Sequence, residues 1–244
     1  MSKQVLINLF KSKHAKIGII GLGYVGLPLI VRFSEEGFPV FGFDIDVEKV
    51  NKLNFGETYI KHIDAKKIKI AVKNGFKATT DLSGIANLDA ILISVPTPLN
   101  VHNEPDLRYI HGTLKSIKPY LKENQLLVLE STTYPGTTEE EILPVIQNIS
   151  SLTTHHTLRF TVGKDFFIGY SPEREDPGNH DYNTKTIPKV VSGITASCLE
   201  LTQTLYDQIV DETVPVSSPK VAEMTKMIEN IHRAVNIGLV NELK

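Results

Sequence analysis

Residues 17–26 read IGIIGLGYVG, a short apolar run that breaks into glycines at 21, 23 and 26. The run before Gly21 suits a buried parallel strand. The stretch after it, GLPLIVRFSEEG at 26–37, has the spacing of a helix closed by Gly37, and PVFGFD at 39–44 reads as the next strand. Alone, G-x-G-x-x-G could be no more than a tight turn. Here it follows a strand, opens a helix and is answered by Asp44, 18 residues beyond Gly26, and that context is the dinucleotide-binding fingerprint. Gly21 permits the turn, Gly23 lets the backbone approach a pyrophosphate, and Gly26 lets helix and strand pack closely, with Tyr24 and Val25 inside the same loop. Asp44 suits the ribose hydroxyls and repels a 2′-phosphate, so the cofactor expected is NAD rather than NADP. Asp46 reads as the cap of the helix VEKVNKL.

Outward from this unit, apolar runs keep alternating with helical patterns. NLDAILISVP (87–96), QLLVLEST (125–132) and DFFIGYSP (165–172) each end in Ser, Thr or Pro, where a loop should start. IPKVVSGI (187–194), TASCLELTQTLYDQIV (195–210) and ETVPVSSP (212–219) add a strand, a helix and a strand. The expected fold class is α/β: a Rossmann-type, doubly wound, mostly parallel sheet with helices on both faces, followed by the start of a long helix. Residues 1–218 would be the NAD-binding domain and 219–244 a long helix. The polar stretch NISSLTTHHTLRF (148–160) places His155 and His156 on the surface, and no metal site is expected.

Composition removes several classes of function. The chain has 244 residues, 41% hydrophobic and 22% charged, enough for a sizeable core. With 26 basic and 28 acidic side chains the formal net charge is -2, so there is no global positive field to draw in a nucleic-acid backbone. Apolar stretches fall short of the roughly 20 residues of a membrane span, and VLINLF (5–10) runs too soon into KSK (11–13) for a signal peptide. A cytoplasmic protein with neither nucleic-acid nor membrane partners is expected. The single cysteine, Cys198, excludes an internal disulfide.

In an open parallel sheet the ligand sits at the carboxyl edge, so chemistry belongs in the loops after the strands. SVPTPLN (94–100) has two prolines fixing the backbone and a hydroxyl at Thr97; it is either a cofactor contact or only a rigid turn. ESTTYPGTTEEE (130–141) puts Thr132 at a strand end and leads to a helix whose start is marked by Thr138 and three glutamates. GYSPEREDPGN (169–179) presents Glu173, Arg174, Glu175 and Asp176 together; a solvated loop is the ordinary reading, but the edge position makes Glu173 a candidate acid-base group. In VAEMTKMIENIHRAVNIGLVNELK (221–244), apolar residues recur at 221, 224, 228, 231, 235 and 239, and Lys226 and Asn230 are four apart on one face. A lysine there could equally be solvated.

GLGYVGLP, SVPTPLN followed by EPDL, ESTTYPGTT, YSPEREDPGN and AEMTKMIENIHRAVNIGLVNE occur in that order, and together they resemble the UDP-sugar 6-dehydrogenases, most closely the branch acting on UDP-N-acetylglucosamine. The resemblance runs from Ala15 to Lys244. It implies oxidation of a sugar primary alcohol to aldehyde and then carboxylate, with two NAD reduced. It implies that Gly21, Gly23, Val25, Gly26, Asp44, Lys49 and Thr97 hold NAD, with Tyr24 and Thr132 beside them. It further implies that Lys226 stabilises the oxyanion, Asn230 orients it, Glu173 and Thr132 handle the proton and the hydrolytic water, and Arg174 joins Glu173, Lys226 and Asn230 around the substrate. In the family the second oxidation uses a cysteine in a downstream GGHC loop of a UDP-binding domain, a loop these residues lack. Cys198, in a helix before the lysine, reads as a packed residue. The resemblance therefore implies the amino-terminal portion of a longer enzyme, with 219–244 the first part of a connecting helix, and a homodimer or higher homo-oligomer when complete. Two other readings stay open: another β-hydroxyacid dehydrogenase, disfavoured by PTPLN and SPERED, and an NAD-binding module without turnover.

Overall fold

A computed structural model of the chain describes residues 3–61, 63–147, 160–173 and 184–244. The helix α1 (Lys3–Lys11) precedes the βαβ unit of β1 (Ile17–Ile20), α2 (Gly26–Glu35) and β2 (Val40–Phe43). All four β1 residues are buried, as a strand covered on both faces by helices must be. Gly37, at φ +89, ends α2 in the left-handed conformation that favours glycine. Asp46 caps α3 (Val47–Asn54), its carboxylate accepting from the Glu48 and Lys49 amides. After α4 (Ala65–Lys73) come β3 (Lys77–Thr79), β4 (Ala90–Ile93), α5 (Arg108–Ile117) and β5 (Leu126–Leu129). Then follow α6 (Leu143–Gln147), β6 (Phe167–Tyr170), β7 (Lys189–Gly193), α7 (Ala196–Tyr206), β8 (Thr213–Pro215) and α8 (Pro219–Glu242).

The eight strands form one sheet in the order β3-β2-β1-β4-β5-β6-β7-β8. Every pairing is parallel except β6 with β7. From β1 the chain winds outward to β2 and β3, then crosses back to β4 on the other side. The reversal falls between β1 and β4, the switch point where the loops following the two strands diverge and leave a crevice. Two apolar cores lie on the two faces. One joins α1, α2 and α7, with Phe10, Phe33 and Tyr206, and the other packs α5 and α6 beneath Ile91, Leu127 and Ile168.

Several elements lie outside the sequence expectation. β3 is a three-residue edge strand, and α1 turns VLINLF into an amphipathic helix that buries Leu6, Ile7 and Phe10 and packs on α7. The helix expected at Thr138 opens with a π turn, Thr138–Ile142, before α6. The cap position is Thr137, whose side chain makes no cap hydrogen bond, and the Thr138 hydroxyl donates to Glu223. His155 and His156 lie outside the described residues. α8 starts at a Ser218 cap and buries only Pro219, Ala222 and Glu223, so its apolar stripe from Val221 to Leu239 is exposed. No helix among the described residues is long and apolar enough to cross a membrane, and those residues hold no metal-binding cluster.

Candidate functional site

A cleft of about 780 Å³ opens at the switch point, lined by the loop after β1 (Gly21, Gly23, Tyr24, Val25), the end of β2 (Asp44, Ile45, Asp46), Lys49, the loop after β4 (Ser94–Thr97) and the ends of α5 and β5 (Tyr109, Ser131, Thr132). That volume lies within the roughly 300–1,000 Å³ typical of ligand pockets. Its glycines divide the work as the fingerprint requires. Gly21 has φ +93, and a Cβ on Gly26 would sit 2.0 Å from the Gly21 carbonyl oxygen, so neither position accepts a side chain. A Cβ on Gly23 would meet nothing within 4 Å, because it would project into the open cleft. The N-cap of α2, Val25, provides no side-chain cap, so the first-turn amides face the space over Gly23. The Ser94 hydroxyl donates to the Gly21 carbonyl at 2.8 Å, tying this loop to the end of β4.

Asp44 closes the other end. Its carboxylate accepts from the Leu22 amide at 2.9 Å and the Asp46 amide at 3.0 Å, which fixes its rotamer and leaves further lone pairs directed at the cleft. The Lys49 ammonium lies 4.0 Å from both Asp44 and Asp46. The Tyr59 hydroxyl donates to the Leu22 carbonyl, and burial, aided by the charges of Asp44 and Asp46, pushes its ionisation well above the ordinary phenol range, so it stays a donor. A dinucleotide fits this donor set: acceptors for ribose hydroxyls at Asp44, and free amides with side-chain-free backbone for a pyrophosphate at Gly23. The Thr97 hydroxyl donates to the Thr132 carbonyl at 2.6 Å, which joins the loops after β4 and β5 at the far end.

Beyond that end, the loop after β6 and the base of α8 gather charged groups. The Lys189 ammonium, only 6% exposed, lies 2.7 Å from the fully buried Glu130, 3.3 Å from the Pro172 carbonyl and 3.9 Å from Glu173. The Tyr206 hydroxyl donates to the second Glu130 oxygen. Burial raises both Glu130 and Tyr206, and each shift is moderated or reinforced by charged neighbours. Lys226 is half-buried, and this burial pulls its amine below the ordinary lysine value, against the opposing attraction of Glu173 and Glu229. Glu173 and Lys226 are therefore within electrostatic reach of each other. Asn230 lies one turn farther along α8 and is exposed, and Arg174 falls outside the described residues.

Sequence reasoning had not singled out Glu130, Lys189, Tyr206, Glu223, Ser94 or Tyr59. A signal existed for two of them. Glu130 is a charge closing an otherwise apolar strand, LLVLE, and Glu223 shares a helix face with Lys226 and Asn230 at spacings of three and four. Cys198 is fully buried, its sulfur accepting from the Ile168 amide at 3.4 Å and the Thr195 hydroxyl at 3.2 Å, a packed position outside the lining of the cleft.

A doubly wound sheet with a glycine loop at its switch point and an acidic residue closing the next strand defines an NAD-binding module of the dehydrogenase type. Residues 15–210 match the UDP-glucose/GDP-mannose dehydrogenase family, NAD binding domain, and the chain belongs to that family. It is 40% identical over 232 residues to a UDP-N-acetyl-D-glucosamine 6-dehydrogenase of Pseudomonas aeruginosa, covering 95% of this chain and 52% of that protein. To a UDP-N-acetyl-D-mannosamine dehydrogenase of Escherichia coli (strain K12) it is 36% identical, over 94% of this chain and 54% of that one. The native structure of the UDP-N-acetyl-mannosamine dehydrogenase Cap5O from Staphylococcus aureus superposes with a TM-score of 0.83 at 32% identity, covering 94% of this chain and 54% of that one. The chain thus spans about half the length of these relatives.

Proposed function

We propose that the chain supplies the NAD site and part of the catalytic apparatus of an enzyme oxidising the primary alcohol of a UDP-N-acetylhexosamine to the carboxylate, with UDP-N-acetylglucosamine preferred. The observation that carries this reading is the gathering of Lys226, Glu173 and Lys189 at the carboxyl edge of the sheet, the edge on which the dinucleotide cleft opens. Bound NAD would accept the hydride. Lys226 then balances the charge that builds on the substrate oxygen, which a fixed ammonium in a part-dry site does better than water. Asn230, one turn on, orients the same oxygen. Glu173, with Thr132, receives the alcohol proton and directs the water that completes the carboxylate. Arg174, the next residue in sequence, belongs to the substrate-binding set in this reading.

Residues 1–218 form the cofactor unit in this reading, and α8 begins a connecting helix. Its exposed stripe of Val221, Met224, Ile228, Ile231, Val235 and Leu239 is, in this reading, the face through which the complete protein assembles as a homodimer or higher homo-oligomer. The sequences ESTTYPGTT and SPEREDPGN support the N-acetylglucosamine choice, as does the 40% identity to the Pseudomonas relative. The Escherichia and Staphylococcus relatives support UDP-N-acetylmannosamine as a second reading. The test joins residues 1–244 to the downstream half of the Pseudomonas relative and follows NADH with UDP-N-acetylglucosamine, UDP-N-acetylmannosamine and UDP-glucose. The highest kcat/KM is expected for the first. A higher value for UDP-glucose reverses the sugar assignment, and NAD binding without NADH from any sugar reduces the chain to a binding module.

A further inference from the structure

Glu223 has no role in the chemistry proposed above, yet like Glu130 it is a fully buried carboxylate near it. Its side chain is completely buried. One oxygen accepts from the Gly136 amide at 2.6 Å, and the other accepts from the Thr138 amide at 2.9 Å and the Thr138 hydroxyl at 2.7 Å. All three donors belong to the short segment that follows Thr132 out of β5. Gly136 holds φ +110 there, a conformation favouring glycine, and its amide is thereby turned toward α8. A buried carboxylate is costly unless charge-assisted hydrogen bonds meet it, and these three do so. The result is a polar clamp between the segment after β5 and the first turns of α8.

The clamp matters because α8 is anchored only at its base, where it also packs on β6 and β7. The helix runs 24 residues, about 36 Å at 1.5 Å per residue, and buries only Pro219, Ala222 and Glu223. From Met224 onward every residue is exposed or half-exposed. Lys226 stands three residues above Glu223 on the same face, at the point where anchored helix gives way to unanchored helix. A slip of one residue would turn every side chain of α8 by about 100°. Glu223 is the one buried polar group of α8 that resists such a slip by directional bonds.

We infer that Glu223 is a positioning residue: by clamping the Gly136–Thr138 segment it sets the rotation of α8, and so the placement of Lys226 relative to the loop that carries Thr132. The inference rests on the reading of Lys226 given above, but its test does not require turnover. In the 244-residue chain labelled with 13C at lysine Cε, the Lys226 signal, assigned with Lys226→Arg, is followed against pH. The charges facing that amine are Glu173, Glu229, Arg233 and Lys189, and none is altered by the test substitutions. Lys226 in the parent chain should titrate below the exposed lysines of the same spectrum. In Glu223→Gln, which places an N–H against donors, and in Thr138→Val, which deletes one donor, its titration should rise to that of the exposed lysines, with NAD affinity unchanged. Glu139→Gln is the control, since it removes an exposed ion pair to Lys220 at 3.1 Å between the same two segments, and it should leave Lys226 where it was. If Glu223→Gln does not fold, Thr138→Val decides. Movement in a folded variant but not in the control sustains the clamp; no movement in any folded variant, or equal movement in the control, overturns it. A Lys226→Met enzyme that still oxidised sugar would overturn the catalytic reading and leave the titration result standing.

Discussion

Two alanine substitutions three residues apart should have opposite signatures. At Gly26 the added methyl would lie 2.0 Å from the Gly21 carbonyl and 2.6 Å from the Ser94 hydroxyl, a clash with backbone that cannot rotate away. Overpacking of this kind costs about 1–3 kcal/mol. For a chain of this size each kcal/mol lowers Tm by roughly 2–4 °C, so Gly26→Ala should melt about 2–12 °C below the parent. At Gly23 the methyl meets nothing within 4 Å and the backbone is not left-handed, so the apo protein should melt at or slightly above the parent temperature. Its methyl nevertheless occupies the space a pyrophosphate must enter. Losing one or two charge-assisted hydrogen bonds, about 1.5–3 kcal/mol each, should weaken NAD binding by at least about tenfold. Scanning calorimetry and titration calorimetry on the two variants read both quantities. A Gly23→Ala protein that binds NAD with the parent affinity would refute the assignment of the pyrophosphate to this loop.

Asp44→Ala should weaken NAD binding by roughly tenfold or more and narrow the preference over NADP; equal parent affinities for the two dinucleotides, by calorimetry, would sink the role given to Asp44. Lys189→Met leaves Glu130 buried opposite an apolar side chain and should cost about 3–5 kcal/mol in urea unfolding, with Lys189→Met/Glu130→Gln costing less than the single change. The Glu36 carboxyl is held below its ordinary value of 4.5 by its hydrogen bond to Lys13 and by Arg32, against burial; that stabilisation is complete above pH 4.5 and is lost as pH falls through the depressed value, so Glu36→Gln should flatten the acid limb of the Tm profile. The 244-residue chain incubated alone with NAD and UDP-N-acetylglucosamine should yield no uronic acid by mass spectrometry, since Cys198 is packed away from the cleft; two NADH per sugar, abolished by Cys198→Ser, would make that thiol catalytic.

The cleft at the switch point was legible because its requirements are local. A strand, a turn that only glycine permits, a helix start and an acidic strand end follow one another within residues 17–44, and each leaves a mark in the sequence. β3 left almost none. It is three residues long and takes its place by pairing with β2, so nothing in KAT distinguishes it from a loop. The antiparallel turn of β7 was hidden for the same reason, since VVSG has the same apolar run whichever way it points. The charged cluster shows the limit most clearly. Lys189, Glu130 and Tyr206 lie on three elements separated by 59 and 76 residues, and only the sheet order brings them together. Each alone resembles an ordinary polar residue at an element's end. What the sequence could not encode locally is their mutual burial, and this burial makes a lysine near Glu173 a fixed charge rather than a solvated one.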